Sequence, residues 1–285
     1  MGVPNTSRNL IQSDRLIPFA HPIVILARPM PSLLFVAAHP DDDTFGVAGS
    51  VALHADDPDF RFVLIHATDG EAGEIAADSG VTREQLAAAR RAEARDSWTA
   101  VGRLPDRHIW FGLPDGGLAE YLFDDLVDRI ATVMDEERPD VVSTFGPDGI
   151  TGHPDHIAVG EATTAAFRRL AGDGPGLKRL IYAAIPQSWM DRWNEERRQA
   201  GLWEWDPNQP FHLRGVPDET IGIRANTEAV VDRVLAGVRA HKTQWSYLTM
   251  HNDRALTDSL RREHAVIAWP SPRGVAVLGD IFQGL

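Results

Sequence analysis

An unbroken apolar run that leads directly into an ionisable cluster constrains this chain most. Residues 33–38 read Leu-Leu-Phe-Val-Ala-Ala, which is typical of a strand buried on both faces of a parallel sheet. The tract from His39 to Asp43 follows without a linker and reads His-Pro-Asp-Asp-Asp. Because adjacent carboxylates repel one another and do not suit a core, their position at a strand end indicates cation binding or catalysis.

A second tract, from Gly152 to His156, reads Gly-His-Pro-Asp-His and shares the His-Pro-Asp core. The proline of each tract is expected at the first helical position, where its fixed φ and missing N–H cost nothing. Each motif places a further ligand-type residue, Asp42 or His156, three residues after its first histidine. Since residues i and i+3 of a helix reach one point, we expect the two motifs to supply one site: His39, Asp42, His153 and His156.

Strands and helices alternate over most of the chain. Strands are predicted at 33–38, 61–67, 108–111 and 140–145, and helices at 82–101, 123–137 and 154–170. This alternation predicts an α/β fold with a mostly parallel sheet and helices on both faces. Such sheets bind ligands beyond the carboxyl ends of their strands, where both motifs and the loops with Glu71, Glu74 and Asp115 fall.

The chain is interpreted as an N-terminal extension over residues 1–31 and a single α/β domain over 32–285. Residues 186–215 are rich in Trp, Pro and charged residues and are interpreted as a loop or lid insertion. The pattern is weaker after residue 175, where two strands and a helix are expected: 180–185, 220–224 and 227–245.

The composition excludes several classes of function. The net charge of −13 argues against a nucleic-acid partner. No run of about 18 apolar residues is present, so no membrane-spanning helix is predicted. The chain has no cysteine, so a zinc site must use histidine and carboxylate ligands, and the protein is expected in the reducing cytoplasm.

The two motifs have a functional and a structural interpretation. Imidazole nitrogens and carboxylate oxygens bind zinc and related divalent ions. Alternatively, Asp42 can cap a helix, and His153 and His156 can be surface residues at a helix start. Three acidic residues after a histidine fit capping poorly, and both motifs fall at strand ends. The metal-binding interpretation is therefore favoured.

A catalytic zinc ion uses about three protein ligands and leaves a position for water. The candidates exceed that number, so some of them have other roles. Asp41 neighbours a ligand and can take a proton from a water whose pKa the metal lowers. One of the two later histidines can stabilise a developing oxyanion or protonate the leaving group. The assembly suits metal-assisted hydrolysis of an amide or ester, and the residues alone do not assign these roles.

The His-Pro-Asp-Asp tract from His39, followed by the tract from Thr151 to His156, resembles the paired motif of the LmbE-like (PIG-L type) zinc N-deacetylases. The resemblance covers roughly residues 33–170 in motif order. It implies a Rossmann-like fold and an enzyme that removes an acetyl or other acyl group from a small-molecule N-acylated amino sugar or its conjugate. Two further segments are similar to segments of the family: 90–93 and 240–244.

The resemblance also implies a role for each motif residue. It implies that His39, Asp42 and His156 are the ligands of a Zn²⁺ cofactor. It implies that Asp41 is the general base. These roles select one arrangement from those that the residue types alone leave open.

The remaining motif residues are His153 and Asp155. The resemblance implies that His153 is a cation that stabilises the oxyanion and can protonate the amine, with Asp155 orienting His153 and holding its proton. The sequence departs from the family at Asp43, where the family usually has Glu. We expect the shorter side chain to lose a supporting hydrogen bond or to form it through water.

Two rival interpretations are a nucleotide-binding α/β protein and a non-catalytic sugar-binding relative. The first is disfavoured because the first strand leads into carboxylates, which would repel a pyrophosphate, and not into a Gly-rich loop. The second is disfavoured because all six carried-over positions are intact.

Other residues are weaker candidates for the site. Asp115, next to Gly116, is interpreted as a turn residue, and His241 and Gln244 are candidates for the site wall. Four tryptophans can stack on a sugar or form the interface of a possible homo-oligomer, with plain packing as the default: Trp189, Trp193, Trp203 and Trp205.

Overall fold

The computed structural model describes residues 1–2, 31–245, 253–271 and 276–285. The extension predicted over residues 1–31 lies almost wholly outside them. The strands are β1 (Ser32–Ala37), β2 (Arg61–Thr68), β3 (Arg107–Leu113), β4 (Val141–Phe145), β5 (Arg179–Ala183), β6 (Ile221–Asn226) and β7 (Arg262–Trp269). The helices are α1 (Asp42–Leu53), α2 (Leu86–Val101), α3 (Phe123–Glu137), α4 (Gly149–Gly152), α5 (Pro154–Leu170), α6 (Gln187–Gln199), α7 (Val231–Ala240) and α8 (Asp253–Ser259).

The strands form one seven-stranded sheet in the order β3-β2-β1-β4-β5-β7-β6. The first five strands are parallel, while β7 runs antiparallel to both β5 and β6. The chain moves outward from β1 to β3 and then returns to the other side of β1 with β4. This reversal leaves a crevice beyond the carboxyl ends of β1 and β4, which is where open α/β sheets bind their ligands. The predicted mostly parallel α/β fold is confirmed.

From Leu33 onward, strand β1 is apolar because both of its faces are covered. Leu33, Phe35 and Ala37 belong to a core shared with α1, α2 and α7. The alternate residues of the strand belong to a second core, shared with α3 and α5. Successive side chains of a strand point to opposite faces, so one apolar run supports both layers of helices. Helices therefore cover both faces of the sheet, as predicted.

Residues 186–215 differ from the prediction of a loop, because α6 occupies Gln187–Gln199. Met190 and Arg197 are the buried residues of this helix. They lie two helical turns apart and so share one face. Charged residues between them hide this periodicity in the sequence. Whether the segment acts as a lid stays a prediction.

The helix predicted at 227–245 is shorter in the structure. Its regular part is α7, flanked by single 3₁₀ turns at Glu228–Val230 and Lys242–Gln244. Among the described residues, no helix is both long and apolar enough to span a bilayer.

Candidate active site

The loops after β1 and β4 bring three ligand-type side chains together in the crevice. Nδ1 of His39 lies 3.2 Å from Nε2 of His156 and 3.5 Å from a carboxylate oxygen of Asp42. The other carboxylate oxygen of Asp42 lies 3.2 Å from Nε2 of His156. These atoms are mutually close enough to bind one metal ion. The structure therefore brings together the three residues that were expected as ligands.

Close approach of α5 to β4 positions His156. At Gly160, one turn further along the helix, an added Cβ would lie 2.6 Å from the carbonyl oxygen of Phe145 at the end of β4. Only glycine permits this contact. The ring of Phe145 stacks on that of His156, with centroids 4.1 Å apart and planes at 16°. The first turn of α5 is thus held directly over the end of the sheet.

The second nitrogen of each histidine fixes its tautomer. Nδ1 of His156 lies 3.0 Å from the carbonyl oxygen of Gly149, so it carries the hydrogen and leaves Nε2 as an acceptor. Nε2 of His39 lies 2.9 Å from Asp115 and 3.3 Å from Asp155, which leaves Nδ1 as an acceptor. Histidine ligands of metals are typically held by carboxylates or carbonyls in this way. Both free nitrogens therefore face the point shared with the third residue, Asp42.

The carboxylates around His39 create a place for positive charge. Burial lowers the pKa of His39, but hydrogen bonds with Asp115, Asp155 and Asp42 raise it well above its ordinary value. In the same environment, burial raises the pKa of Asp115, yet its bond to His39 lowers the net value to about 2. A proton or a cation can supply the positive charge that these carboxylates favour. The donor set therefore fits a metal ion.

A second group of possible ligands shares His39 with the first and adds His153 and Asp155. The Asp155 carboxylate already accepts hydrogen bonds from the N–H groups of Gly116 at 2.7 Å and Leu118 at 3.0 Å. Nδ1 of His153 accepts one from the N–H of Asp155 at 3.1 Å. Because these acceptors are already in use, the group with Asp42 and His156 fits a metal better.

Asp41 has an unusual backbone and a raised pKa. Its φ is +131°, a conformation that side chains rarely adopt and that is often found at functional sites. Burial raises the pKa of the Asp41 carboxyl to about 6, against the lowering effect of the nearby Arg90. A carboxylate with such a pKa can accept a proton near neutral pH. Asp41 precedes the first residue of α1, so Pro40 is not the first helical residue, contrary to the prediction.

Arg90 supports this loop, and the sequence interpretation gave it no role. Its guanidinium donates to the carbonyl oxygens of Pro40 at 2.5 Å and Gly70 at 3.0 Å. It also lies 3.1 Å from the carboxylate of Asp41. The available signal was its place in α2, where it shares the buried side with Leu86. A charged residue on the apolar face of a helix usually has a specific partner.

His153 differs from the expected cation. Burial lowers its pKa to about 4, and positive charge on the neighbouring His39 acts in the same direction. The ring is therefore neutral at pH 7. Because Nδ1 accepts from the Asp155 N–H, the hydrogen is on Nε2, where it can be donated to a substrate oxygen.

Asp155 also differs from the expected arrangement. Its carboxylate is completely buried, and it faces His39. Within the described residues, no hydrogen bond joins this carboxylate to the ring of His153. The backbone N–H of Asp155 is already bonded to that ring, and the carboxylate turns away beneath the loop at 115–118. Asp155 thus orients one histidine through its side chain and the other through its backbone.

Asp43, whose side chain is one methylene shorter than the Glu usual in the family, contacts three neighbouring groups through its carboxylate. Its carboxylate accepts from Nε1 of Trp98 at 2.6 Å and from the N–H of Asp41 at 3.2 Å, and it lies 3.3 Å from Nε2 of His66. Burial raises the pKa of Asp43, but His66, His241 and Trp98 lower the net value to about 2. Three neighbouring groups thus contact this carboxylate, and the loss of a supporting hydrogen bond relative to Glu stays a prediction.

Several weaker candidates are also placed by the structure. Asp115 was interpreted as a turn residue, but it contacts His39 and lines the cavity. Gln244 lines the cavity, whereas His241 is fully buried and lies 3.0 Å from the hydroxyl of Thr44. Of the four tryptophans, Trp203 is exposed. The other three line the cavity: Trp189, Trp193 and Trp205.

These residues surround a cavity of about 660 Å³ that contains the expected ligands and Asp41 in its wall. Its size is typical of a small-molecule site. The cavity opens at the carboxyl ends of β1 and β4, in agreement with the predicted location of the site.

This chain is similar in sequence to a family of de-N-acetylases and to individual deacetylases. The family model described as GlcNAc-PI de-N-acetylase (PIG-L) matches residues 34–167, which contain both motifs. The 1D-myo-inositol 2-acetamido-2-deoxy-alpha-D-glucopyranoside deacetylase of Kineococcus radiotolerans is 30% identical, over 74% of this chain and 68% of its own length. Deacetylase 1 of the same description from Saccharopolyspora erythraea is 29% identical, over 90% of this chain and 94% of its own length.

A solved structure gives a further comparison. The N,N'-diacetylchitobiose deacetylase from Pyrococcus horikoshii aligns with 83% of this chain and 83% of its own, with a TM-score of 0.53 and 19% identity. At that identity the likeness concerns the fold alone. It agrees with the mostly parallel α/β fold described above.

Proposed function

The chain belongs to the GlcNAc-PI de-N-acetylase (PIG-L) family, and from that premise we propose that it is a zinc-dependent N-deacetylase acting on an N-acylated amino sugar or its conjugate. One observation carries the proposal. Two imidazole nitrogens and a carboxylate converge from the segments that follow β1 and β4, beside an aspartate whose pKa is raised to about 6. This is the donor set of catalytic zinc sites, next to a group that can act as a base.

The ligands in this proposal are His39, Asp42 and His156. Zinc is inferred because two histidines and one carboxylate are a common catalytic zinc set. When bound, the ion would polarise the amide carbonyl and lower the pKa of the attacking water. The carboxylates of Asp115 and Asp155 hold the tautomer of His39 that ligation needs.

The chain's own residues supply the proton transfers. Asp41 takes a proton from the attacking water and, once protonated, can deliver it to the leaving nitrogen. Its pKa of about 6 suits both steps near neutral pH. Nε2–H of the neutral His153 donates to the oxyanion that develops on the carbonyl. Arg90 holds Asp41 in place through its ion pair at 3.1 Å.

The non-catalytic alternatives are not favoured, because relatives of this chain are named as deacetylases. A cytoplasmic location is inferred from the absence of cysteine in the sequence. Assembly into a homo-oligomer stays a prediction.

An amine-release assay tests the proposal. The purified protein is stripped with a chelator, reloaded with zinc and supplied with a panel of N-acetylated amino sugars and their inositol conjugates. We expect amine release only after reloading, and release slowed on the order of a hundredfold or more in the zinc-loaded Asp41→Asn variant. Equal release by the stripped and reloaded proteins would contradict a metal-dependent mechanism.

A further inference from the structure

The cavity has two chemically different halves that meet at the expected metal ligands. One half lies over the ends of β2 and β3, and we call it the polar half. Its wall includes Glu74, Arg90, Asp115 and Gln244. Carboxylates, an amide and a guanidinium are the groups that bind sugar hydroxyls. The polar half therefore suits the amino sugar.

The other half, which we call the apolar half, lies over the end of β5 and the start of β7. It is walled chiefly by small, aliphatic and aromatic side chains: Ala184, Ile185, Trp189, Trp193, Leu256 and Leu260. All of these residues lie after residue 167, where the match to the family model ends. These six wall residues thus come from the part of the chain outside that match.

The apolar half begins directly at the metal ligands. Phe145 lines the cavity and stacks on the ring of His156. A group attached to a carbonyl carbon at this point would therefore contact apolar surface from its first atoms. Burying such a group is favourable in proportion to its apolar area.

Three ionisable residues belong to this part of the wall, and the one that carries its charge to the surface is Arg262, which is exposed at the start of β7. The other two, Glu263 and His264, are packed against neighbouring groups. Both carboxylate oxygens of Glu263 accept from α1, one from the N–H of Gly49 and the other from the N–H and hydroxyl of Ser50. His264 is 7% exposed and packs edge-on against Trp189 with centroids 4.6 Å apart. Burial lowers the pKa of His264 to about 4, so the ring is neutral at pH 7.

The geometry of an amide assigns the two halves to the two parts of a substrate. A secondary amide is planar and trans, so the groups on its carbonyl carbon and its nitrogen leave in opposite directions. With the amide at the metal ligands, the amino sugar and the acyl group must enter different halves. Resting on the proposed function, we propose that the preferred substrate carries a long apolar acyl group, bound in the apolar half, instead of acetyl.

The test is a series of N-acylglucosamines with acetyl, butyryl, hexanoyl and octanoyl groups. Each buried methylene raises affinity about fourfold, and octanoyl has about six more than acetyl. Allowing for incomplete burial, we expect kcat/KM for octanoyl to exceed that for acetyl by on the order of a hundredfold. Calorimetry with the zinc-loaded Asp41→Asn variant measures the same preference as a ratio of Kd values, without turnover.

Two variants place the preference in the apolar half. Ala184→Phe adds a ring to its wall and should reduce the octanoyl-to-acetyl ratio of kcat/KM at least tenfold. Trp189→Ala removes part of the wall and should reduce the ratio several-fold. The matched control is Ala88→Phe, the same change at an exposed position of α2, which should leave the ratio unchanged.

The outcomes separate this inference from the proposed function. Hydrolysis of N-acetylglucosamine as fast as, or faster than, its octanoyl analogue would overturn the acyl preference and leave the deacetylase proposal standing. Failure to hydrolyse any member of the series would overturn the proposed function and this inference with it. A preference that Ala184→Phe does not reduce would overturn the placement of the acyl group.

Discussion

The two His-Pro-Asp motifs have the same three residues, yet they enter their helices in different registers. In the second motif His153 is the N-cap of α5 and Pro154 is the first helical residue. In the first motif the N-cap is Asp41, and α1 begins at the following residue. The histidine of the first motif therefore lies two residues further from its helix than that of the second.

Tertiary contacts account for the different register of the first motif. Arg90 donates to the carbonyl oxygen of Pro40, and the N–H of His39 donates to the carboxylate of Asp42 at 2.7 Å. These bonds hold the backbone of Asp41 at its positive φ. In the proposed mechanism the same tripeptide provides a ligand and a base at the first motif, whereas at the second motif it forms a helix cap and a buried carboxylate. The comparison shows that the surroundings decide the roles.

The largest expected effect comes from removing one ligand of each motif. Asp42→Ala and His156→Ala should each lose most of the bound zinc, and activity should fall on the order of a thousandfold or more. Metal content of the purified variants, measured by plasma emission, checks this. His153→Ala is the control, because it removes a histidine of the second motif but should retain zinc. Loss of zinc from the control alone would identify the other ligand group, His39 with His153 and Asp155.

The next effect concerns Asp41, which has a different proposed role from Asp155, the corresponding aspartate of the second motif. Asp41→Asn should keep zinc and the fold but lose activity by on the order of a hundredfold or more, because an amide cannot take a proton from water. Zinc content and kcat are the measurements. Near-normal turnover with zinc in place would remove Asp41 from the mechanism.

Sequence reasoning predicted what is local to the motifs and the strands. Helix α5 was predicted at 154–170 and is found at Pro154–Leu170, since proline at its start and a regular apolar face are visible in the sequence. Buried parallel strands are visible because they are continuous apolar runs. The carboxyl ends of these strands then located the crevice.

Other parts depend on contacts between distant residues and were not predictable in this way. Asp115 reaches His39 because the sheet places the loop after β3 near the end of β1. In the sequence, the glycines beside Asp115 indicate only a turn and do not predict this contact. The register of α1 depends on Arg90, which lies about fifty residues away in the chain. No local pattern encodes either contact.

A smaller effect is expected from the buried carboxylate of the second motif. Asp155→Asn weakens the hold on Nε2 of His39, so zinc should bind roughly tenfold more weakly, as is usual when a partner of a metal-bound histidine is removed. Competition titration with a chromophoric chelator measures this affinity. Asp128→Asn, the same change at an aspartate of α3 that pairs with Arg169 and not with a proposed ligand, should leave it unchanged. If zinc affinity were unaltered and only the basic limb of the pH–rate profile moved, Asp155 would act through His153, as the sequence had suggested.

The smallest effect is a shift in the pH dependence of activity. It tests whether Arg90, a partner that Asp155 of the second motif does not have among the described contacts, sets the protonation of Asp41. Burial raises the pKa of Asp41, and the positive charge of Arg90 opposes that rise. Asp41 must be deprotonated to act as a base, so activity should fall as the pH drops through about 6. Without the cation the neutral acid is favoured, and the acidic limb should move to higher pH.

Two variants at position 90 separate charge from packing in that shift. Arg90→Gln should move the acidic limb of kcat/KM upward by about one pH unit, which lowers kcat/KM roughly fivefold at pH 6 and little at pH 8. Arg90→Lys keeps the charge but loses some of the hydrogen bonds to the backbone, so it should lower the rate without moving the limb as far. Zinc content of both variants should match the parent. If the limb stayed in place in Arg90→Gln, the ion pair at 3.1 Å would not set the protonation of Asp41. The different register of the first motif would then be the main contribution of Arg90.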